Sequence, residues 1–425
     1  MAIGEMLHGQ RGLTAPFSLV LAMAAGVVMP LGAAAQAAAT PLPAPTHTVI
    51  VILENHSASQ VYGKDFSFED MPYLGSLAKA GATMTQATFA QTPYGRTPAG
   101  FTGPLPARPS QPNYLYLFSG DNEGVLPEYF AQGSAPAGYP YHGSATNDSN
   151  GDLLARGRDN VATGIGNRQV PVAMRPFKSP NLGSAVIAKG GSFASFSESL
   201  PSPSFDEETF DSGSGLYKRK HNPVINWVDL GADPKAAIVA PHVLPLAANL
   251  AFEPTSDPRT HQRYRGFVRD ADGKPLDFSQ LPTVSIVVPN QDHDAHDASL
   301  NASDRWLKEN IGPYALWAQQ HGALLVITFD EDGSTKSASG GAKKAGIDTI
   351  PTIFYGPMVK PGRYDEPIDH LNVLATLLAL HADLDGFIKD FSAAHTGDEA
   401  ARERANLRPV VDIFGAGPAL AAPVR

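Results

Sequence analysis

Ala323–Gly333 reads ALLVITFDEDG, an apolar run that stops in three consecutive carboxylates. Leu324, Leu325, Val326, Ile327 and Phe329 give a stretch of strand length, too short for a buried helix and closed by a glycine, as a parallel strand covered on both faces would be. Asp330, Glu331 and Asp332 then fall just beyond the carboxyl end of a central strand, where open α/β sheets place their ligands. Carboxylates packed that closely repel one another unless a cation lies between them. The competing reading is a solvated acidic turn, and other segments must decide between the two.

Two further apolar runs end the same way. His47–Leu53, HTVIVIL, leads into Glu54-Asn55-His56-Ser57, and Thr283–Val288, TVSIVV, leads into Pro289-Asn290-Gln291-Asp292-His293-Asp294-Ala295-His296-Asp297. The second cluster puts five ligand-type side chains into the six positions 292–297, a density that a plain polar loop does not explain. In a parallel sheet all three strand tips face one edge. The expected fold is therefore α/β, with a mostly parallel central sheet, helices on both faces and long loop insertions.

Composition narrows the function. With 425 residues, 43% of them hydrophobic, the chain is long enough for a large core. Its 40 glycines and 37 prolines imply many loops, while a charged fraction of 17% argues against a disordered or coiled-coil chain. A formal charge of −10 offers no basic surface for nucleic acid. The absence of cysteine removes disulfides, thiol catalysis and cysteine-ligated metal together, so any metal takes His, Asp, Glu or Asn.

Elsewhere, residues 1–38 read as a signal peptide: Arg11 precedes the apolar stretch Phe17–Leu31, which gives way to Ala35-Gln36-Ala37. Export to the periplasm or the medium is the expectation, with no stable membrane span after cleavage. A helix is expected from near Pro72, with Asp70 as its N-cap. In Ala107–Gly120, ARPSQPNYLYLFSG, Ser110 and Asn113 bracket Pro112 ahead of an apolar stretch, so that a stiff turn starts a helix whose free N–H groups suit an anion. A loop-rich insertion is expected at about 121–180, where NDSNGD at 147–152 matches a calcium loop too poorly to be read as one. Lys218, Arg219, Lys220 and His221 form a basic knot able to hold a phosphate. One helix is expected from near Ser303 to Gln320. Asp369-His370 opens another, and beyond about Arg408 the residues to 425 read as a flexible tail.

Six of these segments, taken in order, resemble the phosphoesterase family of the alkaline-phosphatase superfamily: VILENHS at 51–57, PSQPNYLYLFSG at 109–120, YKRKHNP at 217–223, VVPNQDHDAHD at 287–297, FDEDG at 329–333, and PTIFYGPMVKPGRY with Asp-His at 351–370. The nearest likeness is to secreted acid phosphatases, and the corresponding domain would span 47–395 with an alkaline-phosphatase-like three-layer α/β/α sandwich. The resemblance implies that Glu54, Asn55, Asp330 and Glu331 hold metal, joined by Asp294, His296 and His370, and that Ser110 is the nucleophile with Asn113 donating to a phosphoryl oxygen. Asp292 and His293 stand where the family is usually uncharged or amidic, so Asp292, which also pairs in spacing with His296, is an alternative ligand to Asp294, as is Asp297. The threonine that often precedes the nucleophile is replaced by Ala107 and Arg108, which favours Ser110.

The mechanism this implies has two steps. Ser110, activated by one or more divalent cations (zinc, magnesium, manganese or calcium), attacks phosphorus while His221 and Lys220 steady the oxygens; water then releases phosphate. The substrate is a small phosphate ester, with a phospholipid or phosphoinositide as the larger alternative. A phospholipase C or phosphodiesterase would use the same residues. A periplasmic phosphate- or metal-binding protein without turnover would need no serine poised before Pro-Asn.

Overall fold

The structure is a computed structural model; it describes residues 42–89, 91–92, 105–106, 110–123, 175–207, 209–210, 215–230, 240–333, 348–396 and 398–415. The expected signal peptide, the bulk of the insertion and the last part of the tail lie outside those residues. Among the described residues no helix is long and apolar enough to cross a membrane.

A sheet of eight strands organises the fold. In chain order they are β1 (Thr48–Leu53), β2 (Ala82–Met84), β3 (Phe193–Ser197), β4 (Asn249–Ala251), β5 (Val284–Val288), β6 (Leu324–Phe329), β7 (Thr352–Tyr355) and β8 (Gly362–Tyr364). Their spatial order is β8-β2-β7-β6-β1-β5-β3-β4. Every residue of β1, β3, β5 and β6 is buried. Helices cover both faces of these strands, which is why β1 and β6 are almost continuously apolar instead of alternating. One layer holds the helices Ser110–Ser119, Leu182–Ala188 and His370–His381, and the other holds Pro72–Ala80, Leu300–Trp306 and Gly312–His321. The result is the mostly parallel, three-layer α/β/α arrangement that the sequence led us to expect.

Register does the positioning. β1 pairs in parallel with β6, Leu53 opposite Phe329, and with β5, Val51 opposite Val287. The residues that follow, Glu54 on one strand and Asp330 on the next, must therefore emerge side by side, and the amide of Asp330 donates to the carbonyl of Leu53 at 2.8 Å. Gly333 closes this tip: a Cβ there would stand 2.9 Å from the Asn55 carbonyl oxygen and 2.2 Å from Gln60 Oε1, so only glycine lets the two loops touch.

One strand departs from the parallel pattern, and three expectations are corrected. β7 runs antiparallel to both β6 and β2, so its carboxyl end points away from the acid cluster; the chain returns through β8, parallel to β2, before reaching His370. The single helix expected from near Ser303 to Gln320 is broken by a π turn at Leu307–Ile311. Pro313, inside the first turn of Gly312–His321, lacks the N–H that a continuous helix needs and crowds the preceding turn. Asp70 does not cap Pro72–Ala80. The carboxylate of Asp304, far along the chain, accepts from the amides of Tyr73 at 2.9 Å and Leu74 at 2.8 Å. Finally, the tail is not loose as far as Gly415: Val410 and Ile413 are buried, and the Lys360 amide donates to the Ile413 carbonyl at 2.8 Å.

Candidate active site

Ser110 is the first residue of a ten-residue helix, Ser110–Ser119, every residue of which is buried. Pro112 is tolerated because the first-turn N–H groups have no intrahelical partner in any case. The positive end of the helix thus sits at the serine. Ser110 Oγ donates to Glu54 Oε2 at 2.8 Å. One helical turn on, Tyr114 OH donates to the other oxygen, Glu54 Oε1, at 2.5 Å. The ring of Tyr114 stacks on His221, centroids 5.2 Å apart and planes 10° from parallel. His221 Nε2 lies 3.4 Å from Glu54 Oε1, and its Nδ1 lies 3.9 Å from Asp294 Oδ2.

Three carboxylates converge here. The amide of Glu54 donates to the Asp294 carbonyl at 2.7 Å, which ties the tip of β1 to the loop after β5. Asp330 Oδ1 accepts from the amides of Asn55 at 2.9 Å and Glu331 at 2.6 Å. Asp294 is held by Gln291 Nε2 at 2.5 Å and by the His296 amide at 2.8 Å. Two non-glycine residues take left-handed φ at these tips, Asn55 at +46° and Ala295 at +80°, the kind of local strain that collects at functional sites. Burial, then the charges of Asp330 and Asp294, pushes the Glu54 carboxyl well above its ordinary value. Burial does the same to Asp294, and raises Asp330 against the pull of its amide donors. His221 is driven well down by burial and then by Lys220, so it is neutral at physiological pH.

Several buried atoms here are of the kind a divalent cation takes. Asn55 Oδ1, Asp330 Oδ2 and His370 Nδ1 are fully buried acceptor positions with no hydrogen-bond partner. His370 Nε2 lies 2.7 Å from the Asp330 carbonyl oxygen. That oxygen can only accept, so Nε2 carries the proton and Nδ1 presents its lone pair. This is the arrangement of a metal-ligating histidine with its second nitrogen anchored on backbone. Burial holds His370 down at about 4.

Glu54, Asn55, Ser110, Lys220, His221, Asp294, Asp330 and His370 are accordingly assembled at one sheet edge. Glu331, beside Asp330, is buried, as is Asn113 in the first turn of the serine's helix. The alternative ligand Asp292 is exposed. His296 stands at the rim with Nδ1 on Asp297 Oδ1 at 2.6 Å, near enough for its charge to bear on His221. His293 is occupied by Glu198, at 2.9 Å, and by stacking on Trp306. The basic knot splits: Arg219 points into the core, its Nε donating to Asp206 Oδ1 at 2.6 Å, while Lys220 and His221 face the acids. Tyr114 and Gln291 were not foreseen. Tyr114 was legible only as the residue four after Ser110, hence on the same helix face.

A second group of ligand-type side chains lies beyond the other end of the same helix. Asp121, Glu123 and His395 bring one potential ligand atom each to within 4.8 Å of one another. His395 Nε2 is 4.0 Å from Asp121 Oδ1 and 3.8 Å from Glu123 Oε1. Ser179 Oγ donates to Glu123 Oε1 at 2.6 Å.

Residues 105–382 match the model of the phosphoesterase family. The phosphatidylinositol-3-phosphatase of Mycobacterium tuberculosis is 31% identical over 96% of this chain and 100% of its own length. Among solved structures, a protein in the alkaline phosphatase superfamily from Vibrio parahaemolyticus is similar over 81% of this chain and 69% of its own, at 12% identity and a TM-score of 0.37. The PsFucS1 sulfatase from Pseudoalteromonas sp. is similar over 87% of this chain and 74% of its own, at 12% identity and a TM-score of 0.44.

Proposed function

The chain belongs to the phosphoesterase family, and from that premise we propose that it is an exported, metal-dependent phosphomonoesterase of the acid phosphatase type, working through a phosphoserine intermediate. Hydrolysis of a phosphoric ester follows from the family and from the phosphatase relative; the export, the metal, the intermediate and the monoester preference are the proposal. One observation carries it: a buried serine hydroxyl at a helix N-terminus, 2.8 Å from a buried glutamate that two further carboxylates crowd.

Glu54, Asn55, Asp294, Asp330, Glu331 and His370 would hold the divalent cation. When bound, it polarises phosphoryl oxygens and eases ionisation of the serine hydroxyl. The protein's own groups do the rest. Ser110 Oγ, held by Glu54 Oε2, forms the bond to phosphorus as the bond to the leaving oxygen breaks, and the serine proton ends on the leaving oxygen. Lys220, the helix N-terminus and Asn113 meet the equatorial oxygens. Neutral His221 holds its place by stacking, and water attacks phosphoserine to release phosphate and restore the hydroxyl. The phosphatidylinositol-3-phosphatase relative supports a phosphoinositide monoester as one substrate class.

The test is a turnover panel at several pH values on p-nitrophenyl phosphate, bis-p-nitrophenyl phosphate, phosphatidylcholine and phosphatidylinositol 3-phosphate, with and without chelator. Monoester turnover lost on chelation is the expected result. Release of phosphorylated headgroup from phosphatidylcholine would make it a phospholipase C, and binding of phosphate with no turnover of any ester would make it a binding protein. Intact mass of exported protein beginning near residue 38 checks the leader.

A further inference from the structure

Nothing above gives Tyr114 a task, yet it touches both halves of the site. Its hydroxyl takes Glu54 Oε1, at 2.5 Å, while Ser110 takes Oε2 at 2.8 Å. The two residues reach one carboxylate from a single helix face, four positions apart, so the helix sets the Glu54 rotamer at two points. The other side of the Tyr114 ring system is the stacked His221, and Tyr114, His221 and Glu54 are all at most 2% exposed. With Tyr114 on Oε1, Oε2 is the oxygen on the nucleophile's side, and its remaining lone pair is the one placed for a cation that Ser110 shares.

We propose that Tyr114 is a positioning residue that orients Glu54 so that Oε2, on the Ser110 side, is the oxygen offered to the metal, while its ring fixes the plane of His221 for the phosphoryl group. The inference rests on the reading of Glu54 as a metal ligand. Groups that hold a ligand from behind typically account for about 10- to 100-fold in metal affinity or activity. Tyr114→Phe keeps the ring and the stack and deletes one hydroxyl. Tyr114→Leu removes the stack as well.

The experiment is calorimetric titration of chelator-stripped full-length protein with manganese(II) and with zinc(II), alongside p-nitrophenyl phosphate kinetics at limiting and saturating metal. Tyr114→Phe should bind about 10- to 100-fold more weakly than wild type, with kcat at saturating metal falling much less than kcat/KM at limiting metal. Tyr114→Leu should lose kcat even at saturating metal, because His221 is released. Circular dichroism and melting of both variants keep misfolding from passing as the effect. Wild-type affinity in Tyr114→Phe overturns the inference and leaves the metal reading standing. Absence of metal binding by wild type, with turnover intact, overturns the metal reading itself and the inference with it.

Discussion

At one end of the helix Ser110–Ser119, Glu54, Asp294 and Asp330 crowd together with Lys220 as the nearby cation; beyond the other end, Asp121 and Glu123 face His395. Both are acid clusters shielded from water. In the first, His221, which lies between Glu54 and Asp294, is driven to the neutral form by burial and by the field of Lys220. Burial and then the neighbouring charges raise the carboxylates, so the site favours taking up protons or a cation. In the second, burial alone would lower His395, but Glu123 and Asp121 outweigh it and push it up to about 9. That cluster supplies its own cation. The difference teaches that a functional acid cluster is recognised less by its carboxylates than by the failure of its surroundings to neutralise them.

The largest test of this contrast is Ser110→Ala. Removing one member of a catalytic unit typically costs several orders of magnitude in kcat, and steady-state turnover of p-nitrophenyl phosphate measures it. Near wild-type turnover would take the nucleophile away from this end of the helix.

Metal removal should come next. Carboxyls raised in the folded state above their reference values of about 4 bind more protons folded than unfolded, so the stability of metal-free protein falls as pH rises above about 4. Melting scans after chelation should show a lower Tm at pH 8 than at pH 5, with added divalent ion restoring more at pH 8. A chelated protein whose Tm ignores both pH and metal would mean that the three acids are neutralised from within, and the contrast would fail.

His395→Gln is the smallest expected effect. A histidine raised to about 9 contributes stability in full below its reference value of about 6.5, and loses it as pH rises through 9. Wild-type Tm should therefore decline between those limits, and the variant's decline should be shallower, with turnover unchanged. Lost turnover in this variant would show the two ends of the helix to be coupled, and a lost equivalent of bound metal would make the second cluster a cation site as well.

Much of this was readable from the chain alone. Continuous apolar runs ending in Glu54, Asp294 and Asp330 identified doubly covered parallel strands and their functional edge, because burial on both faces and the placement of ligands at carboxyl tips are local consequences of sheet geometry. The helix start at Ser110 was legible because a proline in the first turn leaves a mark in sequence. What only the tertiary structure decided were choices among identical residue types. Asp294 and not Asp292 turns inward because Ala295 takes a left-handed φ and Gln291 anchors the carboxylate. Asp304, and not the adjacent Asp70, caps Pro72–Ala80. His370 reaches the site although the strand before it, β7, runs the other way, and Arg219 leaves it for Asp206. Residue type and spacing determine which groups are available at an edge; which of them point inward depends on neighbours distant in the chain, whose burial and hydrogen bonding no local pattern records.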